Sequence, residues 1–553
     1  MRYLSVLAVT ILFVTTSISA QDAASQRTRR DARNDSGLCL SLASQHPVEQ
    51  RLTACERSAG DSLELLDGAD NRSQILQRKA LLEYGLGQYQ QALLTLDQAD
   101  MLAEDQNAVI HEGSFGIGND TIRARVFART NRQDEALSLL EQARAVRPYS
   151  RSIIHTLDLT QLSITRDLAW YRSRLEQRSS LDPSAIKGLF YLDFMEGNLE
   201  RANAIADLAV FQEPRMLDGW TPAGGDKPQE DLRLEVNFIF LSAYISAALD
   251  DQPAAERRFA RARERIDNFV GPEPHPRPGR RVSRRELGDW EARRLVGNAL
   301  RPREALWRRG IELRRAIKSR EIGLNPNQEQ GRLVSDLDIG PDILRLIADL
   351  YPETKRDFET LAARGRNELI QTLSRTSEAE LIQGIPEPET IDNYPNFGRG
   401  HRSILLAGVF NGDRGYTVDA LRPEDGGMQT IRFGTLSGSL ATADELVILA
   451  VARYAQDEGK DSFILLARRV IERTSHVTVS YYPGLRSSHD ENSGSEGSVL
   501  AVLLDSNSIP PEWEVHRVRL IRVADVLDSV GIRQANIEAA RLALREQRAR
   551  RQH

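Results

Sequence analysis

Gly87-Gln88-Tyr89-Gln90-Gln91-Ala92, continued by Leu96 and Ala99, reads as the turn and second helix of a helical hairpin. The same offsets recur at Asn131, Ala136, Leu140, Ala143 and Pro148, and again at Gly197, Leu199, Ala202, Ala206, Ala209 and Pro214. A fourth copy runs through Asp250, Ala255, Phe259 and Ala262. Alanines seven positions apart share one helix face, where a methyl group lets the preceding helix approach closely. The turn residue five positions before the first alanine stops one helix, and the proline stops the next. Repetition of this unit predicts an α-solenoid.

These residues resemble the tetratricopeptide repeat, with its turn glycine, an aromatic two positions on, paired alanines and a closing proline at a period of ~34. The resemblance sits in the second helix of each hairpin; the family's Trp and Gly-Tyr pair are missing from the first. Anchor alanines at 92, 136, 202 and 255 are 44, 66 and 53 apart, so the spacing requires a degenerate copy and insertions. Arg166–Pro183, with Ala169 and Pro183, supplies the copy. The turn-rich stretches Gly113–Asp120 and Asp218–Glu230 supply insertions. The repeats are placed over 30–270. A Pro-rich segment follows over 271–282, either insertion or linker, in which the alternating prolines of Gly271–Gly279 exclude helix. Ser283-x-x-Glu286 is a capping box that reopens helix. Further helical, degenerate repeats fill 283–382, Leu300–Glu312 with Ala305 among them.

Beyond a linker at 383–402, residues 403–533 read as a compact α+β domain. Strand-like runs are Ser403–Phe410, Tyr416–Leu421, Gln429–Leu436, Ser462–Leu466, Val470–Tyr482, Ser498–Asp505 and Val515–Leu520, with one amphipathic helix at Ala441–Glu458. A charged helix occupies 534–553. The stretch Ala443–Arg469, a helix ending at Gly459 and leading into an apolar strand, is similar to small domains of bacterial envelope proteins and lipoproteins. The fold class is therefore mainly α: a solenoid followed by a smaller α+β domain.

The chain has 553 residues, 41% hydrophobic and 27% charged, so it is a folded protein of more than one unit. A net charge of −6 over this length makes no case for nucleic acid as a partner. Met1–Ala20 reads as a secretory signal: Arg2, an apolar run from Leu4 to Val14, and a small-residue end with cleavage after Ala20. That run is shorter than the ~18–20 residues of a membrane span, and no later segment is long and apolar enough. The mature protein is expected without a transmembrane span, exported into the bacterial periplasm. In such a compartment Cys39 and Cys55, the two cysteines present, are expected to form a disulfide across an N-terminal hairpin. With His46 as the turn, Cys39 falls on the first helix and Cys55 on the second. Exported repeat proteins of this kind carry a similar arrangement, here Pro47-Val48-Glu49 before the second cysteine.

No catalytic motif emerges. Arrays of this family are sometimes fused to caspase-like peptidases, but such a domain needs a nucleophilic cysteine, and both cysteines lie in the N-terminal hairpin. Gly434-Thr-Leu-Ser437-Gly lacks nucleophile-elbow spacing, and no phosphate-binding glycine motif exists. His489-Asp490-Glu491 falls in Pro483–Gly497, a Ser/Gly/Asn-rich stretch read as a solvated loop. Basic Arg541–Arg551, interrupted by Glu546, reads as a solvated helix. No metal, cofactor or catalytic residue is expected.

What remains is binding. In arrays like the one resembled, first helices line a concave surface that receives a peptide segment. Here that face carries Gln77, Leu81 and Tyr84, then Arg125 and Arg129, then Lys187, Tyr191 and Phe194, then Asn237 and Tyr244. Aromatics interleaved with cations suit an extended ligand carrying carboxylates; the same aromatics could instead pack between repeats. The chain reads as an adaptor that holds an envelope protein or peptide. Two alternatives stay open: an enzyme or small-ligand sensor with its site in the α+β domain and the repeats as a targeting arm, and a scaffold that self-associates.

Overall fold

The computed structural model describes residues 31–32, 34–41, 46–60, 69–103, 112–208, 227–275, 281–321, 328–374, 394–395, 416–420, 427–435, 439–482 and 485–552. The secretory signal, most of the 383–402 linker, the strand expected at Ser403–Phe410 and residues 218–226 of the second insertion lie outside them.

Helical hairpins build the first part of the chain. After α1 (Val48–Ala59) come the pairs α2 (Ala69–Gly85) and α3 (Tyr89–Ala103), α4 (Ile117–Arg129) and α5 (Gln133–Val146), and α6 (Arg151–Thr165) and α7 (Leu168–Arg178). The pairs α8 (Ser184–Glu196) with α9 (Leu199–Leu208) and α10 (Lys227–Ala248) with α11 (Gln252–Val270) complete the row. One local device ends the first helix of each pair. Gly87, Asn131, Arg166, Gly197 and Asp250 have left-handed backbones, with φ between 56° and 76°. A left-handed residue cannot continue a right-handed helix, so the chain turns there. Five positions later stand Ala92, Ala136, Tyr171, Ala202 and Ala255, all buried. The degenerate copy is thus anchored by Tyr171, two positions beyond the expected Ala169. Arg166 hides this turn from a sequence reading because a left-handed arginine is uncommon. Side-chain caps fix two second helices, Asp167 accepting from Trp170 N and Asp251 from Ala254 N. Gly113–Asp120, expected as a turn-rich insertion, is helical instead: a π-turn at Glu112–Gly116 runs directly into α4.

Cys39 and Cys55 are joined in a disulfide and buried together with Leu52, Ile75 and Leu82. A loop of 16 residues is worth ~3 kcal/mol in the chain-entropy account.

Helices continue past the Pro-rich segment as α12 (Arg284–Leu300), α13 (Arg303–Lys318), α14 (Gln328–Asp336), α15 (Gly340–Leu350) and α16 (Lys355–Ser374). The capping box forms: Ser283 Oγ accepts from Glu286 N, and Glu286 accepts from Ser283 N. These helices share one core with the repeats, because Trp307, Ile311, Ile339 and Ile343 are buried among Phe194, Phe238 and Tyr244.

The last part is a five-stranded antiparallel sheet of order β1-β2-β4-β3-β5, made of β1 (Tyr416–Ala420), β2 (Met428–Thr435), β3 (Ser462–Tyr482), β4 (Leu485–Leu504) and β5 (Ile521–Arg522). Two expectations are corrected here. Pro483–Gly497 is no loop: β4 begins at Leu485 and pairs with β3 from Tyr482 back to Ser462, so His489-Asp490-Glu491 is strand. Pairing with the β-branched run Val477-Thr478-Val479 overrides the loop-like composition. Val515–Leu520 is no strand either. Residues Pro511–Arg519 form a 3₁₀ turn that buries Trp513, His516 and Arg519 at threefold spacing.

Helix α17 (Leu440–Asp457) is capped by Ser439 and lies between the sheet and the repeats. From Ala441 to Ala452 every residue is buried, although Asp444 and Glu445 are among them. Gly497 on β4 makes this packing possible: a Cβ there would lie 2.7 Å from Ala443 O and 2.9 Å from Val447 Cβ. Gly497→Ala is expected to push α17 off the sheet and cost about 1–3 kcal/mol, read as a lower denaturant midpoint.

Arginines lock this unit to the ends of the repeat helices. Arg147 donates to Glu445 Oε2 (2.7 Å), Thr442 Oγ1 (2.8 Å) and Gly113 O (2.9 Å). Arg533, from the terminal helix α19 (Ile532–Gln552) that follows the short α18 (Val523–Val526), donates to the same Glu445 oxygen and to Val146 O. Burial would raise the Glu445 carboxyl, but Arg147 and Arg533 outweigh it and hold the group below its ordinary value. Arg468 donates to Asp444 Oδ1 (2.8 Å), Tyr149 O (2.6 Å) and Leu181 O (3.0 Å). Arg519 donates to Ser179 O (3.0 Å) and Leu465 O (2.7 Å). Val146 O and Ser179 O stand at the C-terminal ends of α5 and α7, where the helix dipole favours cations. Two arginines also quiet the outer edge of β3: Arg519 takes Leu465 O, and Arg151 takes Arg468 O at 3.1 Å.

Candidate functional site

The first helices α2, α4, α6, α8 and α10 form the inner row that the sequence assigns to a ligand. The row is divided by what lies over it. Helix α13 packs on α10, α15 on α8, and α16 on α6, so a second layer covers three of the five. Among the described residues no such helix lies over α2 and α4.

In the covered half, most of the expected groove residues serve packing. Phe194 and Tyr244 are buried edge to face with ring centroids 6.5 Å apart, so they line the core and not a free surface. Tyr244 Oη donates to Asp342 Oδ2 on α15 at 2.6 Å, and Arg314 Nε on α13 donates to the same oxygen at 2.8 Å. Burial and then Asp342 push the Tyr244 phenol well above its ordinary value. Tyr191 keeps 41% of its surface, its ring against Phe190 at 5.5 Å and Phe238 at 6.3 Å. Lys187 and Asn237 are half-buried, and the Asn237 side-chain oxygen is buried without a hydrogen-bond partner.

The open half has different chemistry. Gln77 is buried and committed internally, donating to Asn119 Oδ1 (2.9 Å) and Phe115 O (3.3 Å). Arg125 and Arg129, one helical turn apart on α4, have no carboxylate partner among the described residues. Arg125 is half-buried and donates from Nη2 to Thr160 Oγ1 on α6 at 3.1 Å, while its Nε has no acceptor. Burial lowers the Arg125 pKa, Tyr84 opposes that, and Arg129 adds repulsion. The neighbouring Tyr84 hydroxyl raises the pKa of exposed Arg129. The Tyr84 and Tyr89 rings stand 6.0 Å apart. Elsewhere on these helices arginines are paired: Arg123 with Asp97 (2.9 Å), and Arg144 with Asp158 (3.1 Å). Two guanidiniums without a carboxylate partner among the described residues, one of them partly desolvated, can receive a carboxylate through charge-assisted hydrogen bonds.

No known family profile and no curated protein matches the chain. Two solved structures align with parts of it. BtubC (BKLC) from P. vanneervenii shares 18% identity at a TM-score of 0.27, over 43% of this chain and 98% of that one. The structure of Naa15/Naa10 bound to HypK-THB shares 17% identity at a TM-score of 0.24, over 59% of this chain. The chain spans 42% of that second structure's length. Both likenesses are too slight to carry an argument about this chain.

Sequence reasoning missed two sets of residues. Thr160, Asp342 and Arg314 hold no anchor position of the repeat, so a repeat pattern does not point to them. Arg147, Arg468, Arg519 and Arg533 were not singled out, although Asp444-Glu445 inside an otherwise apolar helix signals buried cations. No group of three or more His, Cys, Asp and Glu able to hold a metal occurs among the described residues. No described helix is long and apolar enough to cross a membrane.

Proposed function

We propose that this protein is an exported adaptor of the bacterial envelope whose open inner row, α2 and α4, holds a partner segment carrying carboxylates. The observation that carries this reading is the pair Arg125 and Arg129, set beside Tyr84 and Tyr89 without a carboxylate partner among the described residues. Arg125 would grip one carboxylate from a partly desolvated position, Arg129 a second or the same one from the rim, and the tyrosines would pack the intervening stem. The disulfide Cys39–Cys55 supports the exported setting, since such bonds persist in oxidising compartments.

The Arg125→Glu/Arg129→Glu variant tests it. A short acidic peptide with a free C-terminal carboxylate, titrated against both proteins at low salt, is expected to bind the variant at least ~10-fold more weakly, with the helical circular-dichroism signal unchanged. Raising the salt is expected to weaken binding to the parent protein because Arg129 is solvent-exposed. Equal affinity for the two proteins would remove the groove assignment. Crosslinking in the native cells, with the variant as control, would then name the partner.

A further inference from the structure

Helices α10 and α13 run side by side in the same direction, and side-chain contacts fix their register. Lys318 Nζ reaches Asp250 Oδ2 (2.8 Å), Arg314 Nη1 reaches Ala248 O (3.2 Å), and the Trp307 and Tyr244 rings stand 6.0 Å apart. At the opposite end Arg303 is set against Arg233, like charge facing like charge. Burial, and then Arg233, lower the Arg303 pKa, and no carboxylate opposes them. The acidic neighbours in sequence are committed elsewhere: Glu304 to Arg308 (2.9 Å) and Arg263 (3.0 Å), and Glu235 to Arg265 (2.9 Å). One turn on from the two arginines stand Asn237 and Trp307. The Asn237 side-chain oxygen and Trp307 Nε1 are both buried without a hydrogen-bond partner, and Trp307 is 4% exposed. An acceptor and a donor left unpaired one turn from two guanidiniums carry a cost that a bound group would remove.

This end of the groove reaches solvent on its α8 side. Tyr191 packs on Phe238 and stays partly exposed, and Leu234, one turn before Phe238, keeps 54% of its surface. Lys187, one turn before Tyr191, is half-buried and has no ion pair among the described residues. Asp338 stands near Tyr191, but burial alone acts on its carboxyl, so it is paired with none of these cations. We propose that this end of the α10–α13 groove binds a phosphate monoester carrying an apolar group. Arg303 and Arg233 donate to the phosphate oxygens, Trp307 Nε1 donates to another, and Asn237 Oδ1 accepts from the remaining P–OH. A carboxylate fits less well, because it brings no donor for Asn237. The apolar group lies on Tyr191 and Leu234, with Lys187 adding charge at the rim. The site is separate from Arg125 and Arg129 and does not depend on the function proposed for them.

The full chain is titrated with two probes at about pH 6, where a phosphate monoester keeps part of its second proton. Phenyl phosphate stands for a soluble ester, and phosphatidylcholine vesicles containing phosphatidic acid stand for a lipid headgroup. Binding is expected for at least one, and Arg303→Gln is expected to weaken it at least ~10-fold; the probe that responds names the source. Benzoate, with the ring and a charge but no P–OH, is expected to bind at least ~10-fold more weakly than phenyl phosphate. Asn237→Leu is expected to raise the denaturant midpoint, since an unpaired buried carboxamide is gone, and yet to weaken binding at least ~10-fold. A purely structural Asn237 would move the midpoint alone. Ester affinity in the Arg125→Glu/Arg129→Glu protein is expected to match the parent, so the two sites stand or fall separately. The proposal is overturned if neither probe binds, or if Arg303→Gln or Asn237→Leu binds as the parent does. It is likewise overturned if benzoate matches phenyl phosphate, or if the Arg125→Glu/Arg129→Glu protein loses the ester. A raised midpoint for Asn237→Leu with no ester bound by the parent would leave a bridging water as the occupant, which also overturns it.

Discussion

Arg147→Ala is expected to lower the unfolding free energy by about 3–5 kcal/mol, the cost of stranding one member of a buried charge pair. Arg147 is 1% exposed, and its fork reaches two other elements: Glu445 and Thr442 on α17, and Gly113 O before α4. Removing it leaves Glu445 with Arg533 alone and deprives Gly113 O of this donor. Urea melts and hydrogen exchange check the result, with the earliest loss of protection expected at the N-terminal half of α17. The double variant Arg147→Met/Glu445→Met should be less damaged than Arg147→Ala, because no carboxylate is then buried there, and the remaining cost is Arg533, which loses Glu445 but keeps Val146 O. A loss below about 1 kcal/mol for Arg147→Ala would mean that water reaches Glu445 and that the two units are not locked at this point.

Acid is expected to loosen the same seam in two stages. His516 is buried, its Nδ1 accepts from Arg519 Nη1 at 3.1 Å, and burial followed by the Arg519 charge lowers its pKa from 6.5 to about 4. A folded-state value below the unfolded one means that the unfolded chain takes up the proton first. Stability is therefore complete above pH 6.5 and declines as the pH falls towards about 4, by about 3 kcal/mol at most. Glu445 and Asp182 are held below their ordinary carboxyl values, so their contributions are lost only at lower pH. His155, whose ring faces Arg178 from a more exposed position, acts in the direction of His516 with a smaller share. Denaturant midpoints from pH 7.5 to 4.5 should fall steadily in the parent protein. His516→Asn keeps a neutral acceptor near Arg519 and should flatten that slope more than His155→Asn does. An equal slope in all three proteins would place the titrating group elsewhere.

The repeat half was legible because its signal is local. A turn residue, a buried small residue five positions on and a helix-stopping proline lie within a few turns, and Gly87, Asn131, Gly197 and Asp250 mark the corners. Reading failed where geometry overrode composition. Arg166 turns the chain as a glycine would, so the degenerate copy was set two residues early. In the groove, a helix face read from the sequence does not reveal what covers it. Phe194 and Tyr244 pack towards α13 and α15, whose repeat pattern is too degenerate to say which helix they would cover. The strands suffered from the same long-range blindness: Leu485–Leu504 is a strand because Ser462–Tyr482 pairs with it, not because Ser, Gly and Asn favour one.

The bond between Arg147 and Glu445 joins residues 298 positions apart, and Arg519 reaches back 340 positions to Ser179. Synthesis therefore delivers the edge of α5 to α7 long before the chain that will cover it. Contacts of such separation form late, since the entropy of closing the intervening loop must be met before they contribute. Until Arg468, Arg519 and Arg533 emerge, the carbonyls at Val146, Tyr149, Ser179 and Leu181 lack these donors, and Tyr149 and Leu181 lack the sheet core they pack against. The repeat array is thus completed only once residues 442–533 have been translated.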